Sequence, residues 1–265
     1  MSLATKLRTV VNIIKATRLA LINKGETVEY DDDIPQIIED MDTGGDLSLI
    51  KTIIERPSDT DLVIPEGVAV ISGYAFYNST NLKSVVIPST VRKIDNSSFY
   101  QSNVETFIIR DGVTSIENYV FFGCSHLTTI TLPATLKKIG ENAFTDVPAK
   151  VINLPSGLTS ISNQCFYRAN VETINLPASL TDLAATSFQY CSKLKNVTLE
   201  SGFNCNRLNL SYSTLYSTET IVSWLNALAD RTGQTAYTLT IGSTNLAKLT
   251  SDQIAIATNK NWNLA

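Results

Sequence analysis

Seven strand-like runs in this chain end at one phase: Pro65, Pro88, Arg110, Pro133, Pro155, Pro177 and Glu200, spaced 23, 22, 23, 22, 22 and 23 residues apart. Phenylalanine follows eleven residues after six of those ends, at Phe76, Phe99, Phe121, Phe144, Phe166 and Phe188. A fixed period in this range means that one short unit of structure stacks on the next. The chain is therefore expected to fold as a solenoid.

Each unit carries the same apolar columns. Three residues before the strand end stand Leu62, Val85, Phe107, Ile130, Ile152, Ile174 and Val197, and one residue before it Ile64, Ile87, Ile109, Leu132, Leu154, Leu176 and Leu199. A period of two puts both columns on one face of a strand, and the β-branched bias suits a buried pleat. Proline ends the strand because it has no N–H to donate to the ladder. A second inward pair follows the turn, beginning with Val68 and Ile71 and repeating as Val91 and Ile94, Val113 and Ile116, Leu136 and Ile139. A small residue precedes most of the phenylalanines (Ala75, Ser98, Ala143, Cys165, Ser187), which predicts close packing of coil on coil. The position before the next strand reads Asn81, Asn103, His126, Pro148, Asn170 and Lys193. Asn and His there predict a left-handed turn.

Units reading like LTTITLPATLKKIGENAF resemble the BspA-type leucine-rich repeats of bacterial surface and phage-associated proteins, over about residues 60–200. The resemblance implies an α+β repeat solenoid, a right-handed array of six to seven coils of 22–23 residues, with recognition or adhesion as its role. On this reading residues 1–45 form a helical N-terminal element, 46–200 the solenoid and 201–265 an α/β C-terminal cap.

Charge and cysteine content exclude several classes. The 265 residues hold 21 Lys plus Arg against 25 Asp plus Glu, a net charge of −4 with no basic run. Nucleic-acid binding thus lacks its electrostatic footprint. Cys124 and Cys191 occupy the same turn position three coils apart. At about 4.8 Å per coil that is ~14 Å, twice what a disulfide spans, so free thiols are expected. Neither a zinc spacing nor a cofactor motif appears, and no metal or cofactor is expected. The N-terminus, interrupted by Lys6, Arg8, Lys15 and Arg18, does not read as a signal peptide, and no apolar run is long enough to span a membrane.

The ends differ from the middle. Leu3, Leu7, Val10, Ile14 and Leu21 make a heptad-spaced seam over residues 3–22, and Asp33-Ile34-Pro35-Gln36 opens a second, short helix. The seam is longer than that helix can cover, which predicts self-association. This segment, LATKLRTVVNIIKATRLALINKGETVEYDDDIPQIIEDM, resembles N-terminal segments of phage and prophage tail proteins. Self-association as a trimer, and other tail proteins as partners, follow from that resemblance alone. Past Glu200, Ser217 predicts an N-cap before Ile221, Trp224, Leu225 and Leu228. Tyr237 to Ile241 reads as a strand, and Thr250 with Gln253 as a capping box. LTIGSTNLAKLTSDQIAIATNKNWNLA resembles C-terminal ends of prophage tail-associated and leucine-rich-repeat proteins.

Candidate chemistry is sparse. Ser125 and the chain's one histidine, His126, are adjacent turn residues not expected to align as a catalytic pair, and nothing else suggests an enzyme. Two surfaces are candidates for a ligand. One is the outward strand face, where Thr106, Thr129, Thr131, Asn153, Thr173 and Asn175 offer hydrogen bonds. The other is an aromatic column of Tyr77, Tyr100, Phe122 and Tyr167. The expected function is recognition of a protein or glycan on a bacterial surface, in a phage tail if the protein is phage-encoded. The alternatives are a bacterial cell-surface adhesin, surface-bound or secreted, and, further off, a glycan-cleaving enzyme.

Overall fold

The computed structural model describes residues 60–64 and 66–265, within the compact unit Asp59–Ala265. The N-terminal helices, the seam of Leu3, Leu7, Val10, Ile14 and Leu21, and the first strand end at Pro65 lie outside the described residues.

Each unit supplies a first strand, longer in all but one (β9 has two residues), and then a two-residue strand. The first units give β1 (Asp61–Val63) and β2 (Val70–Ile71), β3 (Ser84–Ile87) and β4 (Lys93–Ile94), β5 (Thr106–Ile109) and β6 (Ser115–Ile116). Next come β7 (Thr129–Thr131) and β8 (Lys138–Ile139), β9 (Val151–Ile152) and β10 (Ser160–Ile161), β11 (Thr173–Leu176) and β12 (Asp182–Leu183), and finally β13 (Asn196–Leu199). All pairings are parallel and in phase with the repeat: Val85 faces Phe107, Phe107 faces Ile130, and Ile94 faces Ile116. The second strands of the six units form one sheet, β2-β4-β6-β8-β10-β12. The longer strands form two sheets, β1-β3-β5-β7 and β9-β11-β13.

The predicted columns fill the core. Val85, Phe107, Ile152, Ile174 and Val197 are buried, as are Val91, Val113, Leu136, Leu158 and Leu180 after the turn. The phenylalanines stack ring on ring through the array, from Phe76 on Phe99 at 4.9 Å to Phe166 on Phe188 at 5.3 Å. Two further buried columns were not read from the sequence. One, just before the longer strand, is Leu82, Val104, Leu127, Ala149, Val171 and Leu194. The other, three residues past the phenylalanine, is Ser102, Cys124, Val147, Ala169 and Cys191. Cys124 and Cys191 each use that place to donate the thiol to a backbone carbonyl, Phe99 O at 3.1 Å and Phe166 O at 2.9 Å. All four cysteines are free and buried. Burial pushes Cys124 and Cys205 up to about 11 and Cys191 to about 12, so they remain neutral thiols at physiological pH.

The left-handed residues are not where Asn81, Asn103 and His126 led us to expect them. They flank the first five phenylalanines at two residues on either side: Tyr74 and Asn78, Ser97 and Gln101, Tyr119 and Gly123, Asn142 and Asp146, Gln164 and Arg168, and Tyr190 alone follows Phe188. Such a conformation costs a non-glycine residue about 1–2 kcal/mol. Coil-to-coil hydrogen bonding offsets it, because alternate N–H groups of this segment reach the next coil: Ser97 to Asn118 O, Phe99 to Val120 O and Gln101 to Phe122 O. Since the backbone and not the side chain makes the contact, these positions tolerate Tyr, Ser, Asn, Gln or Arg and leave no pattern in the sequence. Elsewhere close approach does demand glycine. A Cβ at Gly112, whose φ is +141°, would overlap the Ser89 carbonyl of the preceding coil.

After β13 the chain changes character. Helix α1 (Thr218–Ala227) is N-capped by Ser217, as expected, and packs on β13. Strand β14 (Tyr237–Leu239) leads into α2 (Ser243–Leu246) and then α3 (Ser251–Thr258), which carries the expected Thr250–Gln253 capping box. The closing strand β15 (Trp262–Leu264) pairs in parallel with β14. Lys260 Nζ reaches back to the carbonyls of Leu225, Asn226 and Leu228, where a cation complements the exposed C-terminal end of α1. Among the described residues no helix is long and apolar enough to cross a membrane.

Candidate functional site

The outward face of the longer strands alternates with the buried one, as the pleat requires. Thr129, Thr131 and Asn153 are exposed there, while Thr106, Thr173 and Asn175 are half-buried. Alongside runs a column of charges. Lys83 pairs with Glu105 at 3.8 Å, and Glu172 holds Lys150 at 3.1 Å and Lys195 at 2.7 Å. Hydrogen bonds from Lys195 and then Lys150 keep the Glu172 carboxyl below its usual range. Thr128 interrupts this column between Glu105 and Lys150.

The interruption coincides with the break between the two longer-strand sheets. At the root of each longer strand an N–H crosses to the preceding coil: Lys83 to Thr60 O, Glu105 to Lys83 O, Thr128 to Glu105 O, Glu172 to Lys150 O and Lys195 to Glu172 O. Among the described residues the one missing rung is Lys150 to Thr128. Two residues before that rung, Asn103 and Asn170 donate their N–H groups to Ser79 and Val147 of the coil before; Pro148 has none to give, and His126 and Lys193 make no such bond although their coils keep the rung. β9 is shortened on its other side as well. Asn175 inserts its side-chain amide, accepting from Leu154 N at 2.9 Å and donating to Leu154 O at 2.8 Å. The Asn175 amide is thus taken up by the fold and is not free for a ligand.

The break opens a cleft of ≈ 480 Å³. Its lining includes Thr129, Ile130, Thr131, Lys150, Val151 and Asn153. Ile130 and Leu132 are only partly buried, although their counterparts in neighbouring coils, Phe107 with Ile109 and Ile152 with Leu154, are fully inside. The two coils stay joined elsewhere: β8 pairs with β10, and Phe144 stacks on Phe166 at 5.5 Å. The opening is therefore a wedge, hinged on the other two sides of the coil. Three of the candidate residues, Thr129, Thr131 and Asn153, stand at its mouth. The sequence reading did not foresee the cleft.

The aromatic column is two clusters. Tyr77, Tyr100 and Phe122 stack nearly parallel at 4.9 and 4.8 Å, with Tyr74 and Tyr119 tilted against them. The next coil has Thr145 instead, buried and hydrogen-bonded to Asn142 Oδ1 at 3.0 Å. Tyr167 lies beyond it, edge-on to Tyr190, which in turn meets Tyr212. Rings that stack on one another have given up their faces, so this surface presents edges and hydroxyls. Burial, with Tyr77 and Tyr119 nearby, raises the Tyr100 phenol above its ordinary value.

Ser125 and His126 do come together, contrary to expectation: Ser125 Oγ lies 3.2 Å from His126 Nδ1. Adjacent residues reach one another because the turn throws both side chains outward. Both are exposed, and no hydrogen bond orients the far ring nitrogen, so the pair lacks the held third group that activates a nucleophile. Among the described residues no cluster of His, Cys, Asp or Glu has the form of a metal site.

This stack of parallel strands around a phenylalanine-filled core is a leucine-rich-repeat solenoid. The sequence profile of the BspA type leucine rich repeat region (6 copies) matches residues 55–150 and 126–224. The chain belongs to the BspA-type leucine-rich-repeat family. It is similar in fold to a leucine-rich-repeat protein of T. pallidum, at 23% identity over 63% of this chain and 82% of that one, with a TM-score of 0.51. It is also similar to a leucine-rich-repeat protein from Eubacterium ventriosum, at 21% identity over 55% of this chain and 41% of that one, with a TM-score of 0.50. No curated protein matches the chain.

Proposed function

We propose that this chain is a non-catalytic recognition protein that meets a protein or glycan on a bacterial surface, as part of a phage or prophage tail. The observation that carries recognition is the outward strand face: Thr129 and Thr131 in the first longer-strand sheet, and Val151, Asn153, Asn196 and Thr198 in the coils of the second, are exposed. The family membership supports the same role. The tail setting, and with it a place in the virion, is supported by the resemblances of residues 3–41 and 239–265 to tail-associated segments. In that setting the seam of Leu3, Leu7, Val10, Ile14 and Leu21 joins copies of the chain, as a trimer, and residues 201–265 close the end of the array. A second reading, a surface-bound or secreted bacterial adhesin, is favoured by the family match over residues 55–224. Tail and lysis genes beside the coding sequence separate the first reading from the second.

Binding of the labelled full chain to a panel of bacterial cells, before and after removal of surface polysaccharide, tests recognition itself. The expected result is saturable binding to some strains. Absence of binding throughout the panel, or continued cleavage of the polysaccharide by the purified chain, contradicts it.

A further inference from the structure

We propose that the junction between the coil of β7 and the coil of β9 is a hinge, about which the outward strand face opens and closes while the other two sides of the array stay joined. A parallel pair keeps its spacing through its ladder of hydrogen bonds. No ladder ties β7 to β9, whereas β5 pairs with β7 at three positions and β9 with β11 at two. The rung at the root of the strands, Lys150 to Thr128, is missing as well. Side chains do not make up the loss. Thr128 breaks the column of charges, so the ion pairs stop at Glu105 and resume at Lys150. Beneath the break Ile130 and Leu132 are only partly covered.

The other two sides of this junction are tied several times over. In the second sheet β8 pairs with β10, Thr159 and Ser160 donate to Lys137 O, and Ser162 donates to Ile139 O. Lys137 Nζ adds a bond to Gly157 O at 3.1 Å. On the phenylalanine side Asn142, Phe144 and Asp146 donate their N–H groups to Asn163 O, Cys165 O and Tyr167 O of the next coil. Phe144 stacks on Phe166 at 5.5 Å, Thr145 Oγ1 donates to Gln164 O at 3.3 Å, and Arg168 pairs with Asp146 at 3.0 Å. Two units joined along two sides and free along the third move most easily by rotation about the joined sides. That rotation carries Thr129 and Thr131 relative to Val151 and Asn153, four exposed residues of the outward face, and changes the curvature of the face at its middle. One surface can then fit partners of differing shape. The hinge does not depend on what the face binds; its use in recognition rests on the reading above.

Paired nitroxide labels on engineered cysteines of the full chain test the hinge, through the distance distributions that dipolar broadening gives in frozen solution. The four native cysteines are buried, and a neutral thiol labels slowly. Thr106→Cys with Val151→Cys spans two coils, about 10 Å, across the break on the outward face. Ser84→Cys with Thr129→Cys spans two coils of the same face without crossing the break. Thr114→Cys with Thr159→Cys crosses the same junction beside the second sheet. The first distribution is expected to be about twice as wide as the other two, because only there does no ladder hold the ~4.8 Å spacing. Ile108→Cys with Asn153→Cys, against Val86→Cys with Thr131→Cys, repeats the outward comparison if a first-choice variant fails to fold. Equal, narrow widths in all pairs would show a rigid array and overturn the proposal. A Thr114–Thr159 pair as wide as Thr106–Val151 would show the junction loose on every side, and an equally wide Ser84–Thr129 pair would show flexing all along the face. Either result overturns it too. Binding to bacterial cells is measured separately, so the recognition role stands or falls on its own.

Discussion

Replacing Phe121 with alanine is expected to cost about 3–5 kcal/mol, a large part of the roughly 5–15 kcal/mol by which domains are stable. Phe121 is fully buried, stacks on Phe99 at 6.0 Å and Phe144 at 5.2 Å, and takes the edge of Phe107 at 4.7 Å. Three coils therefore lose contacts when this ring is removed. In an array, stability is a sum of units and the interfaces between neighbours, so damage at a central interface weakens the coupling between the two halves. Urea denaturation of Phe121→Ala should show a midpoint well below wild type, while Thr128→Ala, on the exposed face, should stay within about 0.5 kcal/mol. A fall in the slope as well as the midpoint would show the halves unfolding separately. Wild-type stability in Phe121→Ala would show that the phenylalanine stack does not hold the solenoid together.

Trp224→Ala should be about as costly, roughly 3–5 kcal/mol for the ring, with about 1–3 kcal/mol more if a buried acceptor is left without a partner. Trp224 is fully buried on α1, against Tyr216 at 4.7 Å, and its indole N–H donates to Val197 O at 2.7 Å. Val197 is on β13, the last strand of its sheet, and that carbonyl points away from β11, where no further strand follows. The tryptophan therefore does two things at the end of the stack: it covers the core and satisfies the sheet edge. Trp224→Phe separates them, keeping most of the apolar area while losing only the hydrogen bond, and should cost about 1–3 kcal/mol. An uncovered edge also promotes pairing between molecules, so Trp224→Ala is expected to raise the light-scattering mass with concentration. A variant that is monomeric and stable would contradict the assignment of α1 to that end.

Much of this fold was legible in the chain because the repeat imposes it. Buried columns such as Val85, Phe107 and Ile174 recur at fixed phase, since each must face its counterpart in the next coil. The left-handed positions beside the phenylalanines were not legible, because their contacts are made by backbone amides and side-chain identity drifts freely from Tyr74 to Arg168. The division of the aromatic column was visible only as Thr145 standing where a ring was expected, and its burial decided the matter. The break between β7 and β9 was not legible, because the rung it lacks, Lys150 to Thr128, is a backbone bond that side-chain identity does not report. Asn175 reads as a polar surface residue, and the structure shows it substituting for a rung of the ladder.

The central claim, that the solenoid is a recognition surface and that its outward strand face makes the contact, is tested most directly by hydrogen exchange of the full chain with and without envelopes isolated from a strain it binds. The predicted result is slowed exchange at amides of β7, β9 and β11 and the segments flanking them, with little change in α1 or α3. Protection confined to the turns carrying Tyr77, Tyr100 and Tyr167, or to the C-terminal helices, would contradict it.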